Sequence, residues 1–353
     1  MKECIKCGMC NICPVFRVEK LESVSPRGKL ILMSEGNKKI DTRIVNDVFK
    51  CSVCGLCEIV CPTSLKLTEF WEKKREELFE KKLAPLPIHK KLRETAFRDF
   101  NPYGGKPEKR SEWLEFQVGK SKTIYFAGCT ASYKLQNVAK SSAKALKELG
   151  INFTILDSSE FCCGSPFLRT GQKDVGRFLF EKNFLAWKKA GIEEIITSCP
   201  GCYRTISQDY PRFAKELGYE FEIDVMHISS VFAGRVKGKL EFTATYHDPC
   251  HLGRHMGIYE EPRKVIKNSG VKIVEMERNR ELSLCCGAGG GLRSQFKEIS
   301  TTICEERIKE ILSTGTNIVI TSCPFCEYNF IKIGGNLIRV LDLSEIVEMT
   351  LSP

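Results

Sequence analysis

The chain has 353 residues, 42% of them hydrophobic, a formal charge of +10 and 19 cysteines. A chain of this length buries roughly three quarters of its unfolded surface, which allows a substantial core and two or three domains and excludes the small disulfide scaffold that so many cysteines would otherwise signal. No apolar run reaches the ~18 residues of a membrane helix and no signal-peptide pattern opens the chain, so a reducing, cytoplasmic setting is expected, with membrane association only through a partner.

Two four-cysteine runs come first. Cys4, Cys7, Cys10 and Cys13 precede Pro14, and Cys51, Cys54, Cys57 and Cys61 precede Pro62. The second run has the spacing of a bacterial ferredoxin motif, in which three cysteines hold one [4Fe-4S] cubane and the fourth reaches across to the other. Eight ligands in two such runs suit two cubane clusters better than zinc ribbons. The first run has one residue fewer before its last cysteine. One residue of α-helix turns a side chain by about 100°, so Cys13 needs a local rearrangement to ligate, and a strained or lost cluster is the alternative. Between the runs, 15–50 carries apolar residues at helical spacing. Residues 67–82 read as a highly charged helix whose stretch after Trp71 is a solvated face. Residues 1–100 are thus expected to form a compact α-helical ferredoxin-like domain with two 4Fe-4S motifs. Turn formers at 101–107 mark a linker taken to run over 101–119.

From about residue 120 onward, short β-branched runs alternate with amphipathic helices, as in α/β units. This part is an internal repeat. A strand-like run leads into Cys129 and again into Cys250. Cys162, Cys163 and Gly164 are echoed by Cys285, Cys286 and Gly287, and the pair Cys199 and Cys202 by Cys323 and Cys326. Duplication gives two α/β halves, 120–238 and 239–353, which a pseudo-twofold would set with their strand-end loops at a shared crevice. The expected fold class is therefore α+β and multidomain, with an N-terminal two-cluster ferredoxin module followed by two duplicated α/β halves.

Each half offers five cysteines, more than one cubane needs. Adjacent cysteines do not easily both reach one cubane, so an unusual centre is implied. Gly164 and Gly287 let the backbone approach a cofactor closely, and their N–H groups can hydrogen-bond sulfide. Reading the CxxC pairs as dithiol redox motifs fits less well beside the adjacent pairs. Cys304, on an apparent helix, reads as a buried small hydrophobe. His89, His227 and His255 have no partner pattern.

The doubled five-cysteine pattern behind two ferredoxin motifs resembles the heterodisulfide reductase-like family of iron–sulfur proteins with CCG domains. These are related to the iron–sulfur subunits of glycolate oxidase and anaerobic glycerol-3-phosphate dehydrogenase. The run Ser25, Pro26, Arg27, Gly28, Lys29 and the stretch from His247 to Arg254 are similar to that family too. The resemblance spans almost the whole chain. It implies that each complete motif holds a noncubane [4Fe-4S] cluster, one on Cys129, Cys162, Cys163, Cys199 and Cys202 and one on Cys250, Cys285, Cys286, Cys323 and Cys326, both facing the substrate. Four clusters at about −2 each would contribute roughly −8 against the formal +10, so the basic excess does not read as a nucleic-acid footprint.

Cleaving a disulfide takes two electrons and each cluster delivers one. The resemblance therefore implies an iron–sulfur oxidoreductase subunit that reduces a small thiol disulfide, fed by an electron-donor or acceptor subunit, a flavoprotein or membrane cytochrome. His251 and Arg254 are candidate catalytic residues, for proton supply and for an anionic substrate group; support of the adjacent cluster is the other reading of both. The alternative function is an electron-transfer subunit of a flavin-dependent 2-hydroxy acid or glycerol-3-phosphate dehydrogenase. Completeness of both five-cysteine motifs favours the enzyme over the relay, and over a zinc-binding scaffold.

Overall fold

The computed structural model describes residues 4–34 and 40–352. Among these, the first hundred positions hold helices and turns, and all seven strands come later. In the N-terminal part, helix Leu67–Glu80 buries Leu67, Trp71 and Leu78 against Val45, Val48 and Phe49 of helix Thr42–Phe49. The second of these helices starts on Asp41, whose carboxylate accepts the Ile44 N–H at 2.9 Å, an N-cap that satisfies one orphan donor.

The charged helix is not the solvated face its composition suggests. Positions 67, 71, 75 and 78 share one side of a helix, and Arg75 is as fully buried there as its apolar neighbours. Its guanidinium donates to five carbonyls, those of Val48, Phe49, Cys51, Arg169 and Gly290. Glu72 on the same helix binds Arg169 and Arg204. These contacts tie the N-terminal helices to both later halves. The expected linker is packed as well, with Asn101, Arg110 and Trp113 buried.

The strands are β1 (Thr123–Phe126), β2 (Glu194–Thr197), β3 (Asp224–His227), β4 (Thr243–His247), β5 (Lys272–Ile273), β6 (Ile318–Thr321) and β7 (Arg339–Asp342). They form two wholly parallel sheets, ordered β1-β2-β3 and β5-β4-β6-β7. Parallel strands need helical crossovers on the faces, which explains why Ile195, Ile196, Val319 and Ile320 are buried as continuous apolar runs. The register repeats between the halves: Phe126 pairs with Thr197, and His247 with Thr321. One shared core joins the sheets, with Tyr125 and Ile196 from the first packing in the same cluster as Tyr246 and Ile320 from the second. Helices Gln136–Glu148 and Leu343–Leu351 close it, and Ser142 Oγ donates to Ser344 Oγ at 2.8 Å. Among the described residues no helix is long and apolar enough to cross a membrane.

Candidate metal centres and active site

The eight N-terminal cysteines sort into two hollows with their fourth members exchanged. Cys4, Cys7, Cys10 and Cys61 line one; Cys13, Cys51, Cys54 and Cys57 line the other. The two loops are conformational copies, with Lys6 and Val53 at φ 57° and 54° and Gly8 and Gly55 at φ 81° and 76°. The missing residue in the first run is absorbed locally. Cys57 leads through the α-turn Leu56–Ile59 to Cys61, whereas Cys10 sits in a 3-10 turn, Met9–Ile12, that delivers Cys13. A 3-10 turn closes in three residues instead of 3.6, so a shorter spacer brings the next side chain to the same side. The sequence signal for this was the shortened spacer itself.

The ten remaining paired-motif cysteines line one cavity of about 420 Å³ between the halves. Cys199 and Cys323 sit where β2 and β6 give way to helices Pro200–Arg204 and Pro324–Gly334, each starting on the proline that follows the cysteine. Proline suits the first helical turn because its absent N–H would have no partner there. Each adjacent pair is followed by a glycine in the left-handed region, Gly164 at φ 87° and Gly287 at φ 83°. That turn aims the glycine N–H back at sulfur: Gly164 at Cys162 Sγ, 3.5 Å, and Gly287 at Cys285 Sγ, 3.3 Å. Gly128 is equally constrained, since a Cβ there would stand 3.0 Å from Cys202 Sγ.

The donor set fits an iron–sulfur group. Cys286 Sγ and Cys326 Sγ lie 3.2 Å apart. In the first half, hydrogen bonds from Cys162 and Cys202 draw Cys163 down to about 6. Hydrogen bonding to Cys163 and Cys199, with burial, pushes Cys202 well above the usual thiol range. Sulfurs so close in a buried place can all be thiolates only around cations. The cysteine groups also adjoin one another, because Cys54 of the second hollow packs in one buried cluster with Cys285, and Cys199 and Cys323 share the cavity wall. Cys304 is buried in apolar surroundings on helix Lys297–Leu312, apart from the cavity wall.

The two residues singled out beside Cys250 have different surroundings. His251 lines the cavity, with Nδ1 3.4 Å from Cys250 Sγ and Nε2 3.5 Å from an Arg204 N–H. Burial first, and then His255, Arg204, Arg169 and Arg254, hold it well below its ordinary value, so it is neutral. Arg254 is off the cavity wall. It donates to the carbonyls of Cys54 at 2.6 Å, Glu281 at 3.1 Å and Ser283 at 2.6 Å, and so braces the second hollow against the second half. The cations on the wall are Arg169, Arg293 and Lys297. Burial raises and Arg169 and Arg204 lower the Glu72 carboxyl, with a net fall to about 2.

Two residues given no role in the sequence reading reach the sulfurs. Arg110 donates to Cys129 Sγ at 3.7 Å while paired with the buried Glu160 at 2.6 Å. His247, at the end of β4, groups with Cys286 and Cys326, their ligand atoms within 4.8 Å of one another. Its equivalent in the first half is Phe126, and it opens the family-like stretch from His247 to Arg254, which was the sequence signal for it.

Residues 123–207 and 244–331 each match the cysteine-rich domain family, and 1–65 match the 4Fe-4S dicluster domain. A dihydromethanophenazine:CoB–CoM heterodisulfide reductase subunit of Methanosarcina acetivorans is 32% identical over 98% of this chain and 92% of its own length. A fumarate reductase (CoM/CoB) subunit of Methanothermobacter marburgensis is 31% identical over 100% of this chain and 73% of its own. A crystal structure of a hypothetical protein from Helicobacter pylori shares the fold, with TM-score 0.63 and 12% identity over 98% of this chain and 70% of that one.

Proposed function

Because this chain belongs to the heterodisulfide reductase-like family of iron–sulfur oxidoreductase subunits, we propose that it reduces a small disulfide in the cavity between its halves. The observation that carries this reading is that both five-cysteine sets are complete and line that one cavity. Two noncubane [4Fe-4S] clusters held there would supply one electron each to an S–S bond lying between them, and two protons complete the conversion to two thiols. Two cubanes, in the hollows of Cys4, Cys7, Cys10, Cys61 and of Cys13, Cys51, Cys54, Cys57, would feed them where Cys54 packs with Cys285.

The chain's own residues have defined parts in this reading. Arg204 donates to Nε2 of His251, which leaves the proton on Nδ1 facing Cys250. Arg293 and Lys297 offer positive charge at the wall for an anionic substituent. Arg254 is a positioning residue that holds the second hollow in register. The exposed Cys7, flanked by Ile5 at 64% and Met9 at 57% exposure, marks where an electron-exchanging partner, a flavoprotein or membrane cytochrome, docks.

The test is reduced-viologen-dependent cleavage of small disulfides by the anaerobically loaded chain. Turnover is expected, together with about sixteen iron atoms and matching sulfide. Absence of turnover with every disulfide, in a fully loaded protein that still passes electrons to a flavoprotein dehydrogenase, would replace this reading with that of a relay.

A further inference from the structure

The two five-cysteine sites have the same layout but different neighbours. Phe126 and His247 occupy one register position, opposite Thr197 and Thr321 respectively. In the first half Phe126 packs in an apolar cluster with Cys163 and Cys202. In the second, His247 stands beside their counterparts Cys286 and Cys326. Each strand-end cysteine faces a nitrogen side chain: Cys129 faces Arg110, whose charge is offset by the buried Glu160 at 2.6 Å, and Cys250 faces His251. The asymmetry lies at the other sulfurs.

The tautomer of His247 is fixed from behind. Arg307 Nε donates to its Nδ1 at 3.2 Å. Arg307 is itself immobilised by Glu310 at 2.6 Å, the Arg278 carbonyl at 3.0 Å and Ser283 Oγ at 3.0 Å. Arginine has no acceptor, so Nδ1 is the lone pair and the neutral ring carries its proton on Nε2. That buried Nε2 has no hydrogen-bond partner, while the Cys286 and Cys326 sulfurs are the ligand atoms grouped with the ring. The ring is held edge-on by Phe330, with centroids 4.9 Å apart. On the first half's equivalent helix, at the offset that relates Cys199 to Cys323, Arg307 is replaced by Asn183. Asn183 donates to the Phe161 and Cys162 carbonyls and to Tyr210 Oη, none of which lies on β1.

We infer that His247 donates an Nε2–H hydrogen bond to the Cys286 thiolate, so that the second five-cysteine site holds its electron at a higher potential than the first. A donor to a ligating sulfur draws charge from it and favours the reduced cluster; Phe126 has none to offer. The favoured site is also the one whose Cys285 packs in one buried cluster with Cys54. The first electron therefore rests at the second site, and the two centres are reduced in a fixed order. This inference rests on the cluster reading of both motifs.

The test uses the loaded full chain with histidine labelled by 15N. Pulsed EPR of the first-reduced centre should show an imidazole 15N coupling that His247→Phe removes, which separates it from any coupling to His251 beside Cys250; a spectrum unchanged by that substitution would overturn the inference. Redox titration of His247→Phe should then lower the reduced-to-oxidised ratio of one centre at least tenfold at fixed poise, about 59 mV for a one-electron couple. His247→Gln, which keeps a side-chain N–H, should recover most of that loss. Equal titrations of Phe and Gln variants at wild-type iron content would overturn the inference. Iron and sulfide content separates this failure from failure of the cluster reading, which would show as unfilled sites.

Discussion

Replacing Arg75 by lysine should loosen the N-terminal helices from both halves at once. Arg75 donates to the carbonyls of Arg169 at 2.6 Å, Cys51 at 2.8 Å, Gly290 at 2.9 Å, Val48 at 3.1 Å and Phe49 at 3.2 Å. A lysine ammonium keeps the charge but carries its three donors on one atom, so at least two of the five carbonyls lose their partner. Bonds from a charged donor contribute about 1.5–3 kcal/mol each, and a buried carbonyl left alone keeps its desolvation cost, which gives a loss of roughly 3–5 kcal/mol. The assay is anaerobic urea denaturation followed by tryptophan fluorescence and by the visible absorbance of the clusters, with limited proteolysis between residues 99 and 123 as a second readout. The variant should unfold at lower urea and be nicked faster in that segment. A stability within about 0.5 kcal/mol of the parent, as for an ordinary surface change, would refute the reasoning.

Three further outcomes are expected. Glu72→Gln leaves the buried Arg169 and Arg204 without their shared carboxylate, and should cost about 3–5 kcal/mol in the same denaturation experiment; a loss below about 1 kcal/mol would class the pairs with surface ion pairs. Cys13→Ala and Cys61→Ala should each disturb the cluster of the opposite run, because the fourth cysteines are exchanged between the hollows; EPR signals that change only in the cluster of the mutated run would contradict this exchange. His89 is held at about 4, chiefly by burial and also by the Arg75 charge, against a raising hydrogen bond to the Gly291 carbonyl. The folded state keeps it neutral while the unfolded chain protonates below about 6.5, so stability falls as pH drops from 6.5 toward 4. By pH 5.5 this share is about 1.4 kcal/mol. The parent should lose it between pH 7.5 and 5.5, and His89→Gln should not.

How far the sequence could be read depended on whether a residue's role is local. The repeat was visible because cysteine, glycine and proline at the loops are required by local geometry, as at Gly164 and Gly287. The apolar strands of both halves were visible because burial on two faces writes a continuous run. Arg75 and Glu72 were misread as solvated because a polarity pattern contains nothing about carbonyls and guanidiniums brought from positions 169, 204 and 290. The expected obstacle at Cys13 came from assuming α-helical rotation where the chain makes a 3-10 turn.

The sequence by itself determined the inventory: which sulfurs exist, that they come as two fours and two fives, and that an α/β unit occurs twice. Those facts are written in spacing, which the chain carries unfolded. The tertiary structure decided the assignments. It paired Cys13 with the second run and Cys61 with the first, set Cys54 against Cys285, fastened Arg254 to carbonyls and turned His247 toward the sulfurs of one half only. Each depends on contacts between segments far apart in the chain. Hydrogen bonds and short-range electrostatics act over a few ångströms of space, and sequence distance does not fix that separation.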